Sequence, residues 1–456
     1  MSFISDLAAK KVLVIGGGTT GKSLIRYLTD QSVDFRVIDE KLTQISGLQV
    51  HTEIPEDFRP NLAIVSPGWK PAHPLLIQLR SQGVELIGEL DFAWLLKEEI
   101  NPNQRWVAVT GTNGKTTTVQ MLESIISSSK LAGIACGNVG LPVVAAVTDP
   151  HKYEILALEL SSFQIAWSQL ARYEAVAILN IAQDHIDWHG SFAEYAAAKI
   201  KLLEMSDCAI LNLGDPEIIL QSVNWSGRKI FYGLDTPQAG ELGLVEEILV
   251  DRAFVVQSDS AEVIAELSDI SPTVPHNISN ALAAAGLALA LGIAHPVVKM
   301  GLSKFKLDHH RLEIVKSSNE ISWVNDSKAT NPHAASAALL SHLSNIWIAG
   351  GLAKGAAMEE LIKRCAPRIK AAILIGTDRE LIAAALAKFA PKVEIFRVDM
   401  ADDGAQLMDS VVECAKKIAK PGDTVLLAPA CASMDQFDSY AQRGDYFANS
   451  VRKLVQ

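Results

Sequence analysis

The sequence predicts an α/β protein of three domains built on mainly parallel sheets. Short apolar strand patterns alternate with helix patterns almost throughout the chain, as expected for strand–helix–strand units rather than for runs of hairpins. The length of 456 residues exceeds what a single core serves at roughly 100–200 residues per domain. The alternation lapses twice, at the polar segment Ile100–Gln104 and at the weakly periodic Leu302–Asp308. Domains of 1–100, 101–306 and 307–456 follow.

The first domain should carry strands at Lys11–Ile15, Phe35–Asp39, Leu62–Val65 and Glu85–Ile87, then a helix over Leu90–Lys97. The second opens with a strand at Arg105 and has strands near Leu156–Glu159, Ala175–Ile181 and Cys208–Asn212; a long helix after His276 closes it. Strands of the third are expected near Ile321–Val324, Ile346–Ala349, Ala371–Ile375, Val393–Arg397 and Thr424–Leu427. The uncharged run Ala281–Ala294 is shorter than the roughly 18–20 residues of a membrane span and contains Gly286 and Gly292. It reads as a buried helix.

Composition narrows the function. Apolar residues at 49% and charged residues at 20% exclude disorder over most of the length. The balance of 41 basic against 52 acidic residues, a net charge of −11, argues against a general nucleic-acid or anionic-membrane surface. The five cysteines are widely spaced with no CxxC pair, which fits reduced thiols and neither a zinc site nor a disulfide frame. The start, MSFISDLAAKKVLVIGGG, lacks the cationic segment and long apolar stretch of a secretory leader, so a cytoplasmic protein is expected.

Two glycine loops carry the chemistry. Gly16-Gly17-Gly18-Thr19-Thr20-Gly21 follows a strand and opens a helix, the Rossmann-like arrangement in which a diphosphate approaches backbone N–H groups at a positive helix end. Asp39, at the end of the next strand, could accept from a ribose or uracil donor. Alone, this loop points to a nicotinamide-dependent dehydrogenase or to a tight turn with no ligand. The second loop, VAVTGTNGKTTT over 107–118, has the strand, loop and helix order of a P-loop ATPase. Its backbone N–H groups would cradle phosphate oxygens, Lys115 would neutralise β/γ charge, and Thr116 or Thr117 would hold a magnesium ion. It is a variant, with Val109 where a strict Walker sequence has glycine and Gly111 two residues on. By itself it also suits a non-enzymatic P-loop switch.

Strand ends supply further polar groups. Glu159, beside Ser161, Ser162 and Gln164, ends a strand where ligands bind in open parallel sheets, and its carboxylate could complete a magnesium site. Asp184-His185-Ile186-Asp187 follows another strand; a structural histidine is the competing reading there. Lys199 lies in the helical stretch Ser191–Glu204, where a solvated lysine is the competing reading.

The order and spacing of GTNGKTT, ELSSFQ, HNISN and NDSKATN resemble the Mur ligases, ATP-dependent amide-forming enzymes of cell-wall synthesis, over nearly the whole chain. Within that family, ELSSFQ with PACASMDQF at 429–437 is similar to the D-glutamate-adding members, and no DNPR box of the diaminopimelate- or lysine-adding members is present. The resemblance implies a cytoplasmic, monomeric ligase that adds D-glutamate to UDP-N-acetylmuramoyl-L-alanine through an acyl phosphate, using ATP and two magnesium ions. It also implies roles for residues. Thr19, Thr20, Asp39, Ser66 and Gly68 would hold the uridine diphosphate part. Asn138, Ser161, Gln164 and His185 would line the channel where carboxylate meets γ-phosphate. Gly111, Thr112, Asn113, Gly114, Lys115, Thr116 and Thr117 would take the ATP phosphates, with Thr116 and Glu159 on magnesium. Lys199 matches the family's carbamylated lysine, a ligand for the second ion, and with Lys115 and His185 completes the catalytic set. Asn277 and Asn280 would contact adenine, Arg311 a phosphate and Asp326 the ribose. His185, Lys328, Thr330, Lys354, Ser433, Met434 and Tyr440 would receive D-glutamate. The chain departs from the family at Trp188, where arginine is frequent, at Leu352-Ala353, which replaces a more polar pair, and at Tyr440, where phenylalanine is common.

Overall fold

The computed structural model describes residues 3–45, 47–257, 259–399 and 403–455. Among these residues the strands form three sheets. In the first, Lys11–Ile15 lies between Asp34–Ile38 and Leu62–Val65, with Glu85–Gly88 beyond Leu62–Val65 and Leu48–His51 beyond Asp34–Ile38. These pairs are parallel, and Gln44–Ile45 adds a short antiparallel edge. In the second, Arg105–Thr110 lies between Ala175–Ile178 and Ile155–Glu159, with Gly133–Gly137 outside the latter. The other side continues through Cys208–Asn212, Arg228–Tyr232 and Glu241–Val245 in parallel, then Ile248–Asp251 and Glu262–Glu266 antiparallel. In the third, Thr424–Leu427 is flanked by Ile321–Asn325 and Asn345–Gly350; Ile369–Ile375 and Glu394–Arg397 follow, and Glu313–Ser318 closes the other edge antiparallel.

The strands that the apolar pattern does not reveal are Gln44–Ile45, Leu48–His51, Gly133–Gly137, the four between 228 and 266, and Glu313–Ser318. Several are only half-buried, as in Glu313–Ser318, so the apolar run that marks a central parallel strand is missing. The helix His295–Lys304 extends into the segment whose weak periodicity suggested a joint. Pro275–Ala290 is helical, and its alanine-rich middle is buried. No helix among the described residues is long and apolar enough to cross a membrane.

The described residues divide into two compact units. One holds residues up to Ile181, Trp188–Thr273 and Asn277–Phe305, so it contains both the first and second sheets; the other holds Ala182–Asp187, Val274–His276 and the chain from Lys306. The polar break at 100–104 therefore separates two sheets without separating two compact units. Its neighbouring helix, Glu89–Ile100, explains why. Leu90, Phe92, Ala93 and Leu96 are buried in one apolar cluster with Trp106, Val143, Val144 and Leu158 of the second sheet's layer. On the same helix Asp91, 3% exposed, points its carboxylate at the turn 168–171. Its Oδ1 accepts from Ser168 Oγ at 2.8 Å and from the amides of Leu170 at 3.0 Å and Ala171 at 3.3 Å, while Oδ2 accepts from the Gln169 amide at 2.8 Å. In return, Trp167 of the second sheet's helix Ser162–Trp167 is buried among Leu13, Ile15, Val65 and Leu79 of the first. Its Cβ would lie 2.8 Å from any Cβ at Gly88.

Removing the Asp91 carboxylate would leave several buried donors without an acceptor, at about 1–3 kcal/mol each. Asp91→Ala is expected to lower the thermal midpoint of the protein by roughly 5 °C or more. Differential scanning calorimetry checks this; an unchanged midpoint would show that the turn 168–171 is held by other means.

Candidate functional site

Both glycine loops lie where open parallel sheets place ligands, outside the carboxyl ends of strands whose neighbours depart in opposite directions. At the first, the loop residues Gly16, Gly18, Thr19 and Thr20 face the turn Ser66-Pro67-Gly68 across a cleft of about 730 Å³, further lined by Lys41, Trp69, Lys70 and His73. The turn packs tightly on the loop. A Cβ at Gly16, where φ is +96°, would lie 2.7 Å from Ser66 Cβ, and Ser66 Oγ donates to Gly16 O at 3.1 Å. The helix Thr19–Asp30 starts from Gly18 with no side-chain cap, leaving its first N–H groups directed at the cleft. Lys41 and Lys70 bring positive charge and Asp39 and Glu40 negative charge to the lining, and the helix N–H groups suit an anionic group.

Asp39 serves this site indirectly. Its Oδ2 accepts from the Gly17 amide at 2.8 Å, and Oδ1 from the amides of Lys41 at 2.8 Å and Leu42 at 3.1 Å. Burial pushes its pKa up, but these backbone donors outweigh it and hold the carboxyl below its usual value. The carboxylate thus fixes the glycine loop, whichever ligand groups also reach it.

At the second loop, Gly114 adopts φ +85° and a Cβ there would lie 2.5 Å from Asn280 Oδ1, so Asn280 of the helix Pro275–Ala290 packs directly on the loop. Lys115 Nζ donates to Gly111 O at 2.8 Å and Thr112 O at 3.0 Å. Thr116 is partly exposed at the start of the helix Lys115–Ser128, whereas Thr117 is buried. Asn180, just past the strand Ala175–Ile178, brackets the loop: its Oδ1 accepts from the Asn113 amide at 2.8 Å, its Nδ2 donates to Asn113 O at 3.0 Å, and its carbonyl accepts from the Thr112 amide at 2.9 Å. Tyr195 joins Thr112 through a 2.9 Å contact between hydroxyls. Neither residue was singled out from the sequence, and only the strand-end position of Asn180 could have signalled it.

Around this loop, one polar set converges. Glu159 is 2% exposed and pairs in register with Val109 of the loop's strand. Its Oε1 accepts from Asn138 Nδ2 at 2.9 Å, while Oε2 is buried with no hydrogen-bond partner. A buried, unpaired carboxylate oxygen is costly unless a cation or donor completes it. Lys199 is 1% exposed, which removes the solvated-lysine reading. Its Nζ donates to Gly111 O at 2.8 Å, lies 3.4 Å from Thr110 Oγ1 and sits 4.8 Å from the centre of the Tyr195 ring. Among the described residues no group of three or more His, Cys, Asp or Glu converges on one point. Magnesium is usually held by one or two carboxylates together with phosphates and water. Glu159 and Thr116 fit such an ion.

Ser161 and Gln164 form a capping box for the helix Ser162–Trp167: Gln164 Oε1 accepts from the Ser161 amide and hydroxyl, both at 3.0 Å, and Ser161 Oγ accepts from the Gln164 amide at 3.2 Å. Gln164 also bonds Glu89, so its side chain is engaged in positioning the turn. Asn277 donates from Nδ2 to Pro272 O at 3.0 Å, and its Oδ1 is buried without a partner. An unpaired acceptor there matches the exocyclic amine of a purine.

In the other unit, His185 has φ +51° and its amide donates to Asp184 Oδ1 at 2.9 Å. Asp326, at the end of Ile321–Asn325, accepts from the Leu312 amide at 3.2 Å; burial raises its pKa to about 7 against the lowering effects of that amide and of Arg311. The carboxyl ends of the third sheet carry the remaining candidates. Lys328 Nζ sits 3.8 Å from the centre of the Tyr440 ring, Ser433 is buried, Met434 is 70% exposed, Lys354 is exposed, and Thr330 is partly buried. Arg443, absent from the sequence-derived set, ties these loops together. Fully buried, it donates to Ser327 Oγ at 3.0 Å, Ser327 O at 2.9 Å and Cys431 O at 3.2 Å, and Ser327 Oγ in turn donates to Tyr440 O at 2.7 Å. Non-glycine residues with positive φ lie in the same loops, among them His310, Lys354 and Ala430, as is frequent at ligand sites.

Three family models match successive parts of the chain. Residues 10–88 match the N-terminal domain of MurD-like Mur ligases, 109–288 the Mur ligase middle domain and 310–431 the Mur ligase glutamate ligase domain. The chain is 43% identical to the UDP-N-acetylmuramoylalanine–D-glutamate ligase of Streptomyces coelicolor, with 99% of each covered. The chain belongs to the Mur ligase family. A second relative of the same name, from Thermobifida fusca, is 42% identical to this Mur ligase, covering 99% of the chain and all of the relative. Among solved structures, a pseudomurein peptide ligase type C from Methanothermus fervidus shares the Mur ligase fold with a TM-score of 0.62 at 18% identity, covering 98% of this chain and 100% of that one. The UDP-N-acetylmuramate–alanine ligase of Thermotoga maritima does so with a TM-score of 0.57 at 17% identity, covering 97% and 99%.

Glu89 gives the site a pH-dependent component. It is buried beside Gln164, accepts from the Val144 amide at 3.3 Å, and has its pKa raised to about 7, chiefly by burial. A raised carboxyl pKa favours the neutral form on folding, so its contribution to stability is present at low pH and lost as pH rises through about 7. A shift of that size corresponds to roughly 3 kcal/mol. Glu89→Gln, which is neutral throughout, is expected to gain in thermal midpoint over the parent as pH goes from 5.5 to 8.5. A difference independent of pH would show that Glu89 is ionised across the range.

Proposed function

We propose that this Mur ligase joins D-glutamate to UDP-N-acetylmuramoyl-L-alanine, cleaving ATP by way of an acyl phosphate, in the synthesis of peptidoglycan precursors. The observation that carries the reading is full-length similarity to relatives named for that activity. The two glycine loops support it: a dehydrogenase would use the first and leave the second idle, and a P-loop switch the reverse. Thr19, Thr20, Ser66 and Gly68 take the uridine diphosphate, with Asp39 holding their loop. Residues 111–117 take the ATP phosphates, Asn277 and Asn280 the adenine, Arg311 a phosphate and Asp326 the ribose. Lys328, Thr330, Lys354, Ser433, Met434 and Tyr440 form the D-glutamate surface, whose ligand needs cationic and N–H donors for two carboxylates.

In the first step the γ-phosphoryl group passes to the carboxylate of the L-alanine end and ADP leaves. The loop amides orient the phosphates, and Lys115 offsets the charge that gathers on the transferring group. Thr116 and Glu159 would hold a magnesium ion, which would supply neutralising charge to the phosphates, and a carbamylated Lys199 would hold a second. Lys199 is the candidate because it is buried, which disfavours an ammonium, and a carbamate would turn a buried cation into an oxygen ligand. In the second step the D-glutamate amine attacks the acyl carbon and phosphate departs. His185 or a nearby acid receives the ammonium proton. The protein acts as a monomer in the cytoplasm.

The deciding experiment is phosphate release with ATP and UDP-N-acetylmuramoyl-L-alanine across a panel of amino acids. Release should depend on D-glutamate, and Lys115→Ala should abolish it while the protein stays folded; a preference for meso-diaminopimelate or L-lysine would overturn the specificity. For Lys199, Lys199→Ala should be inactive and partly rescued by acetate. Normal turnover by that variant, together with an unmodified lysine by mass spectrometry under bicarbonate, would refute the carbamate.

A further inference from the structure

We propose that Trp167 and Trp188 are positioning residues for the sugar nucleotide, holding the Ser66–Trp69 turn in place with a pair of indole N–H donors. The inference rests on the reading of the first cleft as the uridine diphosphate site and adds to it. Trp188 Nε1 donates to Gly68 O at 3.1 Å, and Trp167 Nε1 donates to Trp69 O at 2.9 Å. Consecutive carbonyls of one turn are thus bound by two side chains from a different sheet layer. On its opposite side the turn rests on Gly16, where Ser66 leaves no room for a Cβ. The turn is therefore held from both sides, and its freedom to shift toward or away from a ligand depends on the two indoles.

Each indole is itself fixed. Trp167 is buried in the first sheet's apolar cluster. The Trp188 ring lies tilted 4.7 Å from the centre of Phe163 and meets His189 edge-on at 4.5 Å, and His189 Nε2 lies 2.8 Å from Ser162 Oγ. Phe163 and Ser162 belong to the helix that follows Glu159. The polypeptide that delivers this buried carboxylate thus also supports the turn that lines the first cleft. Such a pre-set turn lowers the ordering cost of binding without touching the transferring phosphoryl group, so its loss should appear in substrate affinity rather than in turnover.

The test uses the full-length protein, with UDP as the probe in isothermal titration and UDP-N-acetylmuramoyl-L-alanine in steady-state assays. Trp188→Phe keeps a ring against Phe163 and removes the donor. It should weaken UDP binding and raise KM for the sugar nucleotide about three- to tenfold, with kcat and KM for ATP held. Trp167→Phe should act in the same direction, and Trp188→Arg, which restores a donor of longer reach, should recover part of the loss. Folded Phe variants that bind UDP as the parent does would overturn the clamp while leaving the uridine site standing. Equal losses in ATP and UDP affinity would mark a general structural role and overturn it too. If Trp188→Phe does not fold, the titration of Trp188→Arg decides, since a restored donor must bind UDP better than Trp167→Phe. A parent protein that binds no UDP would overturn the site reading itself, and the clamp with it.

Discussion

The Asp91 carboxylate is the interaction on which the two-sheet unit most depends. A glycine loop can present its N–H groups to a phosphate only if the strand behind it is rigid, and two such loops can serve one reaction only if their sheets keep a fixed relation. A single buried carboxylate accepting from one hydroxyl and three backbone amides of the turn 168–171 supplies that relation at little cost in side-chain freedom, because aspartate is short. Hydrogen bonds to an ionised acceptor are about twice as strong as neutral ones. The apolar contribution is reciprocal: Phe92 and Leu96 enter the second layer, and Trp167 enters the first.

Within this frame the polar groups divide by whether their hydrogen-bonding capacity is already used. Asp39 and Gln164 are committed to backbone and capping partners, so they shape a site from behind. Glu159 Oε2 and Asn277 Oδ1 are buried and unpaired. Such atoms are tolerated where a ligand completes them.

The third sheet solves its own positioning problem with a cation. Arg443 is buried, and burial lowers its pKa to about 10 against the opposing effects of Cys431 and Asp435, yet its donors reach one hydroxyl and two carbonyls. A planar fork can tie the 326–330 loop to the 429–437 loop and to the start of the last helix at once. Lys328, held over the Tyr440 ring, is placed by the same arrangement, and tyrosine provides that ring face as well as phenylalanine would.

The sequence by itself determined the central strands, because a strand buried on both faces must be a short apolar run, and it determined both glycine loops, because a backbone that approaches a phosphate closely needs residues without side chains. Gly16 and Gly114, with φ +96° and +85°, also leave no space for a Cβ against Ser66 and Asn280, so only glycine serves there. The half-buried strands were not all legible: a segment such as Glu313–Ser318 gains its partner from a neighbouring strand, and the residue pattern does not record a neighbour, although the edge strands Glu85–Gly88 and Glu394–Arg397 did show. Nor could spacing show that Lys199 is buried, that Asp91 reaches a turn some 80 positions on, or that Asn180, Tyr195 and Arg443 support the loops. A side chain's burial and its hydrogen-bond partners are set by residues distant in the chain, so tertiary structure alone decided which of many polar residues face a ligand and which hold the backbone that does.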